Sequence, residues 1–371
     1  MKKVVHLTSA HPRYDQRILW RECCSLCEHG YDVTLVVNDA KESESLKNGV
    51  QILSTGFVPK GRRQRMTEGV RRVYELGLAQ NADIYHLHDP ELLTVALKFK
   101  QQGKKVIFDS HEIHGEDIKA KKYLPFLVRN LIAFAYTAYE SYVCGRIDGV
   151  IIPTRFDGKD VFAGRCRRFS MVENYPRASE YEGIEIPSYH VREGVCYSGS
   201  LTPQRGITNL AKEVAMTLTD IVLMGSFSSE AYRREILESN RGHIRYLGLI
   251  TDRKELFRTY TECAIGVSLL LDDGQFKKLE IMPTKVYEYM AMEMPVLVSD
   301  FPYNRALIEK YQFGLTANPE DVSDIASKIR WLLDHPEEAE VMGKNGKRLL
   351  TEQFTWDVAE KELLKLYQEI E

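Results

Sequence analysis

Several absences narrow the chain before any motif is read. No apolar run approaches the roughly 20 residues a membrane-spanning helix needs; the most apolar stretch, Leu124 to Cys144, is broken by Arg129, Asn130 and Glu140. A buried or interfacial helix is expected there instead. The seven cysteines are scattered, and the one cluster, Cys23, Cys24 and Cys27, lacks a second pair of metal-ligand spacing. Reduced structural thiols are expected rather than a disulfide framework or a zinc site. Glycine is missing from the first turn, Thr8 to Arg17, where a dinucleotide fingerprint needs it to let a pyrophosphate reach the backbone. That argues against an NAD-dependent dehydrogenase. No apolar leader follows Met1-Lys-Lys, so a cytoplasmic protein is expected.

The 371 residues, 44% hydrophobic and 28% charged, suit two soluble domains of ordinary size. The net charge of −3 is unevenly spread: residues 1–175 carry 27 Lys and Arg against 21 Asp and Glu, and residues 176–371 carry 23 against 32. The positive half includes Lys60, Arg62, Arg63, Arg65, Arg71 and Arg72 in a helical context. This run is either a solvated face or a surface facing anionic lipid or a phosphorylated acceptor.

Strand and helix patterns alternate from Lys3 to Ile152, and again from Gly194 to Leu270, with a charged, proline-containing segment, Arg177 to Arg192, between them. The expected fold class is α/β, with two Rossmann-like, doubly wound domains facing across a cleft. The boundaries are 1–176 for the first domain and 193–354 for the second. Ligands of such sheets bind outside the carboxyl ends of the strands. In the first domain those ends carry His11, Asp15 and Arg17, then His86, His88 and Asp89, then Asp109, Ser110, His111 and Glu112. Each histidine alone reads as a hydrogen-bonded structural residue; three polar clusters at strand ends read as a cleft. A metal held by His86, His88 and His111 is conceivable.

In the second domain the first turn, Gly199-Ser200-Leu-Thr-Pro-Gln-Arg205-Gly206, pairs small residues with a cation, a combination suited to phosphate. The stretch from Glu280 to Asp300 organises the rest. Pro283 can occupy the first position of a helix that runs to about Met292, and Val296-Leu-Val reads as the following strand. Glu280 then lies on the loop ahead of the helix and Glu288 inside it. Amides near Thr284 and Lys285, with the helix dipole, would hold a phosphate between two carboxylates able to accept sugar hydroxyls. Two solvated glutamates are the plain alternative.

The spacing Glu280-x7-Glu288 followed by Tyr-Met-Ala resembles the signature of the family 4 retaining glycosyltransferases, which have the GT-B fold. His-Pro-x-x-Asp-x-Arg, His-x-His-Asp-Pro and Asp-Ser-His-Glu are similar to the family's N-terminal motifs. The resemblance implies that Glu280 contacts the donor sugar, Glu288 holds the ribose, and the turn of Met282, Pro283, Thr284 and Lys285 holds the diphosphate with Gly199, Ser200 and Arg205. It places Gly225 and Ile250 by the nucleobase, and His111 where the family histidine approaches the donor sugar from the acceptor side. His11, Asp15, Arg17, His88, Asp89, Asp109 and Glu112 fall on that acceptor side. Ser200 departs from the pattern, since the family usually has Arg there and Lys at Arg205; Lys285 is a candidate compensating cation. The family lacks a metal-binding Asp-x-Asp and so does this chain, so neither metal nor cofactor is expected. The implied partners are a nucleotide-sugar donor, a glycan or lipid-linked acceptor and an anionic membrane surface, with no nucleic acid. The implied setting is cell-surface polysaccharide synthesis at the inner face of the membrane. In GT-B enzymes the last helix crosses back, so residues from about 355 to 371 are expected on the first domain. Nucleotide-sugar 2-epimerases of the same fold and non-catalytic nucleotide-sugar-binding proteins are the competing classes.

Overall fold

Short β-branched runs set the pattern of the chain. In the computed structural model, which describes residues 1–121, 123–239, 242–272 and 275–371, they form 14 strands divided between two units. Unit 1 comprises Met1–Asn174 with Trp356–Glu371, and unit 2 comprises Tyr175–Thr355.

Unit 1 contains β1 (Lys3–Leu7), β2 (Asp32–Val37), β3 (Glu44–Ser45), β4 (Gln51–Ser54), β5 (Ile84–Leu87), β6 (Lys105–Asp109), β7 (Gly149–Ile152) and β8 (Phe169–Met171). They lie in the order β3-β4-β2-β1-β5-β6-β7-β8, all parallel except the β3–β4 pair. Val4, Val5, Leu7, Leu35 and Ile107 are fully buried, as expected of a parallel sheet covered on both faces. The order reverses direction between β1 and β5, the switch point where such sheets open a ligand crevice. Register puts His6 directly opposite His86 there. The closing helix, Trp356–Ile370, packs in this unit: Trp356 Nε1 donates to Ser25 Oγ at 2.7 Å, and Ser170 Oγ donates to the Glu362 carbonyl at 3.1 Å.

Local chemistry moves several boundaries. The region after β6 holds two helices, His114–Ala120 and Phe126–Cys144, the second covering the apolar stretch in which one helix was expected. Pro125 caps the second and cannot continue the first, because its ring removes the N–H and restricts the residue before it. The helix after β1 opens as a π-helical stretch, Gln16–Cys23. The strands β3, β8 and the later Gly314–Ala317 were not anticipated, being too short or too polar to show a period.

Unit 2 contains β9 (Glu193–Ser198), β10 (Ile221–Met224), β11 (Ile244–Gly248), β12 (Cys263–Ser268), β13 (Val296–Ser299) and β14 (Gly314–Ala317). Their order is β11-β10-β9-β12-β13-β14, parallel throughout. Val195, Ile265, Val267 and Leu297 lie in its core. The segment Arg177 to Arg192, read as a linker, is part of this unit and carries a short helix, Ala178–Tyr181.

Candidate functional site

Two crevices lie at the strand ends, one in each unit. In unit 2 a cavity of 270 Å³ is lined by residues following β9, β10 and β11 and by one helix N-terminus: Ser198, Gly199, Gly225, Ile250, Thr284 and Lys285 among them, with Arg253 and Glu288. Glycine is required at its floor. Gly225 has φ +134°, and a Cβ there would lie 1.8 Å from the Gly199 carbonyl oxygen. Two strand ends thus meet backbone to backbone, which leaves room for a bulky ligand above them.

The helix Thr284–Ala291 borders this floor. Pro283 is its N-cap rather than its first residue, and no side chain caps it, so its positive end is turned to the cavity without a competing acceptor. Lys285 lies half-buried in the wall with its ammonium 3.6 Å from the Tyr197 ring centroid. It forms no ion pair among the described residues. Burial first, then the nearby Arg205, pushes its pKa well below the usual lysine range, against a smaller pull from Glu288. A cation in that position is short of an anion.

Glu288 is 5% exposed and already engaged. Its Oε1 accepts from Arg253 Nη2 at 2.6 Å and its Oε2 from Tyr260 Oη at 2.8 Å. Arg253 also reaches Glu180 Oε2 at 2.7 Å. Sequence reasoning missed Arg253, Tyr260 and Glu180; an Arg directly after the helix-capping Asp252 was the available signal, while Glu180 lay in the supposed linker. Of the other residues assigned to the donor, Ser200, Met282, Pro283, Arg205 and Glu280 do not line this cavity. The Met282 N–H donates to Tyr287 Oη at 3.3 Å, the Arg205 guanidinium lies 5.2 Å from the Phe276 ring centroid, and Glu280 is half-buried on its loop.

In unit 1 a cavity of 550 Å³ is lined by His11, His88, Asp89, His111 and Glu112 of the expected set, and by Arg62, Arg65, Tyr136 and Tyr139. Asp15, Arg17 and Asp109 stand behind it. Asp15 caps the first helix, accepting at 2.9 Å from the Arg17 and Ile18 amides. Arg17 is buried and forks onto Asp109, Nε to Oδ2 at 2.8 Å and Nη2 to Oδ1 at 3.0 Å, so the two charges neutralise each other. Asp89 holds the β1 turn through Thr8 Oγ1 (2.8 Å) and the Ser9 amide (2.6 Å).

From the cavity inward runs a file of imidazoles. His111 Nε2 is 3.2 Å from His88 Nδ1, His88 Nε2 is 2.8 Å from His6 Nδ1, and Tyr367 Oη sits 2.9 Å from His86 Nδ1. Burial pushes the pKa of His6 and His86 well below the ordinary value and that of His88 down to about 4, against the opposing pull of Asp109. At neutral pH these rings are uncharged. Among the described residues, His6, Glu22, His86 and His88, and separately His88, Asp109 and His111, bring donor atoms within 4.8 Å of one another. The His6–His88 hydrogen bond and the Arg17–Asp109 fork occupy atoms a cation would need. The rings of His86 and His88 are stacked, with centroids 4.5 Å apart and planes 23° from parallel.

Two parallel α/β units with crevices at their strand ends define the GT-B class. Solved structures share the fold at low identity: sucrose-phosphate synthase from Thermosynechococcus elongatus (TM-score 0.78, 16% identity, covering 100% of this chain and 99% of that one), and Anabaena HepE in complex with UDP and glucose (0.70, 12%, 100% of both). An Escherichia coli trehalose-6-phosphate protein bound with UDP-2-fluoro glucose is also similar (0.65, 15%, 99% and 98%). A search of curated proteins finds no match. Two family models match, Glycosyltransferase Family 4 over residues 16–168 and Glycosyl transferases group 1 over residues 186–349. Together they span most of the chain, which belongs to this glycosyltransferase family.

Proposed function

We propose that the chain is a retaining glycosyltransferase that moves a sugar from a nucleotide-sugar donor, held in the unit 2 cavity without a metal, to a glycan or lipid-linked acceptor. The observation that carries this reading is Lys285, a half-buried lysine with no ion pair among the described residues, beside an uncapped helix N-terminus and two close-packed glycines. A diphosphate supplies the missing charge. Its departure adds negative charge, which Lys285 and the helix end stabilise more in the transition state than before it. Glu288 is the carboxylate in the cavity lining, and with each oxygen already bonded it is suited to accept ribose hydroxyls rather than to attack the sugar. Attack from the face the diphosphate leaves fits: the acceptor oxygen bonds to the anomeric carbon, the bond to diphosphate breaks, and the acceptor proton passes to the leaving phosphate oxygen. Glu280 is assigned to the donor sugar and His111 to the acceptor side. Synthesis of a cell-surface polysaccharide at the cytoplasmic face of the membrane is the setting this chemistry suits.

A thermal-shift panel of UDP-, GDP- and ADP-sugars in EDTA tests the reading, with UDP-glucose first because HepE and the trehalose-6-phosphate protein are described with UDP or a UDP-sugar. A donor at 100 times its Kd should stabilise the protein by about 2.7 kcal/mol. Lys285→Ala should abolish most of that shift, whereas Arg205→Ala should leave most of it. An equal loss in Arg205→Ala would move the diphosphate to the Gly199–Gly206 turn. Consumption of donor without any acceptor would identify an epimerase, and binding without turnover a carrier.

A further inference from the structure

The helix Phe126–Cys144 carries an apolar surface that unit 1 leaves uncovered. Of the 22 exposed large hydrophobic residues among those described, nine lie between Tyr123 and Tyr142. Phe126, Leu127, Leu131 and Phe134 are 65, 79, 68 and 73% exposed. Isolated exposed apolar residues are normal, but a contiguous set of this size on one helix marks an interaction surface. The helix is not a membrane span; no helix among the described residues is long and apolar enough to cross a bilayer.

Charge selects the occupant. From Tyr123 to Tyr139 the only charged residue is Arg129, and no Asp or Glu occurs. The 550 Å³ cavity connects this helix, through Tyr136 and Tyr139, to Arg62 on the other wall. Neither Arg62, Arg63 nor Arg129 forms an ion pair among the described residues. A symmetric contact of this helix with a second copy would set its apolar side chains and Arg129 against their own copies, with no acid between Tyr123 and Tyr139 to pair Arg129. Apolar side chains combined with unpaired cations match the boundary of an anionic bilayer, where the first enter the acyl edge and the second meet phosphate. The basic run itself is a poorer candidate, since Arg71 and Arg72 are neutralised by Glu68 and Glu75.

We infer that the exposed face of the Phe126–Cys144 helix docks unit 1 on an anionic phospholipid surface, which brings the mouth of the His111 cavity to a lipid-anchored acceptor. The docking deepens the proposed transfer reaction and names its acceptor class, but it is tested without turnover. The full chain is sedimented with phosphatidylglycerol–phosphatidylcholine (1:3) vesicles and with pure phosphatidylcholine vesicles, across a salt series. Wild type should sediment with the anionic vesicles and lose only part of its binding at high salt, because the apolar contribution is not screened. Leu127→Glu with Leu131→Glu should bind at least tenfold more weakly, with an unchanged melting temperature and an unchanged UDP-sugar shift; Arg71→Ala with Arg72→Ala should bind as wild type does. Absence of wild-type sedimentation, undiminished binding of the Leu127/Leu131 variant, or a wild-type dimer that this variant dissociates would each overturn the inference. A failed donor shift with intact vesicle binding would overturn only the transferase reading.

Discussion

Glu22 is fully buried, and neither of its oxygens has a hydrogen-bond partner among the described residues. Arg17 Nε lies 3.0 Å away but spends its hydrogen on Asp109. Burial, then the charge of Asp109, raises the Glu22 pKa well above the usual carboxylate range, so the residue is held neutral. The unfolded chain loses this proton near pH ~4.3 while the folded chain keeps it. The native state therefore binds more protons above that pH, and stability falls as pH rises toward the folded pKa, by up to about 1.4 kcal/mol per pH unit. Glu22→Gln removes this dependence, so its melting temperature should gain on wild type steadily from pH 5 to pH 8. A constant offset across that range would mean that Glu22 is ionised in the fold. Neither Glu22 nor His6 was legible as a site residue: a lone Glu in a helix and a lone His in a strand carry no pattern, and only the β1–β5 register and the π-helical turn bring them together. The family-like motifs, by contrast, were legible because their residues sit at strand ends, where spacing along the chain is also spacing in the fold.

The strand-end turns carry the donor crevice, and their geometry is more demanding than their sequence suggests. Gly225 was legible as a donor-site residue only through the family resemblance, since glycine turns at strand ends are common. Its φ of +134° and the 1.8 Å that would separate an added Cβ from the Gly199 carbonyl oxygen leave no space for any side chain there. Gly225→Ala must displace one strand end from the other, at an expected cost on the order of 2 kcal/mol or more in denaturant unfolding, together with loss of the donor-induced shift. A variant with wild-type stability would show that the two strand ends part easily. Most strands were legible from short apolar runs, as at Val296-Leu-Val, which the structure extends by one residue to Val296–Ser299. The misses have local causes. Pro125 divides a helix that hydrophobicity alone runs together, and Glu44–Ser45 is a strand by pairing with β4, not by composition.

At the scale of the whole molecule, two alternating α/β segments were legible from the first reading, but which residues of each half face ligand was not. Arg17, Asp109 and Asp15 had the residue types of a binding site but do not line the cavity: Arg17 and Asp109 pair beneath it and the half-buried Asp15 caps a helix. Arg253, Tyr260, Tyr136 and Tyr139 line or brace the crevices, and no single short motif contains them. The apolar helix was legible as buried or interfacial; only the structure shows that its face is open.

The helix that completes unit 1 is synthesised after the whole of unit 2. Trp356 and Tyr367 are fully buried there, and Tyr367 holds His86, yet both leave the ribosome after all of unit 2. A nascent chain can fold unit 2 as soon as that unit emerges, while unit 1, begun first, waits for its final side chains; the usual order of domain completion during synthesis, N-terminal first, is reversed. A chain stopped after Thr355 should give soluble unit 2 resistant to limited proteolysis and a unit 1 that is digested, whereas adding the 356–371 peptide in trans should restore part of its protection. Protection of unit 1 without the peptide would mean that the earlier residues suffice to close it.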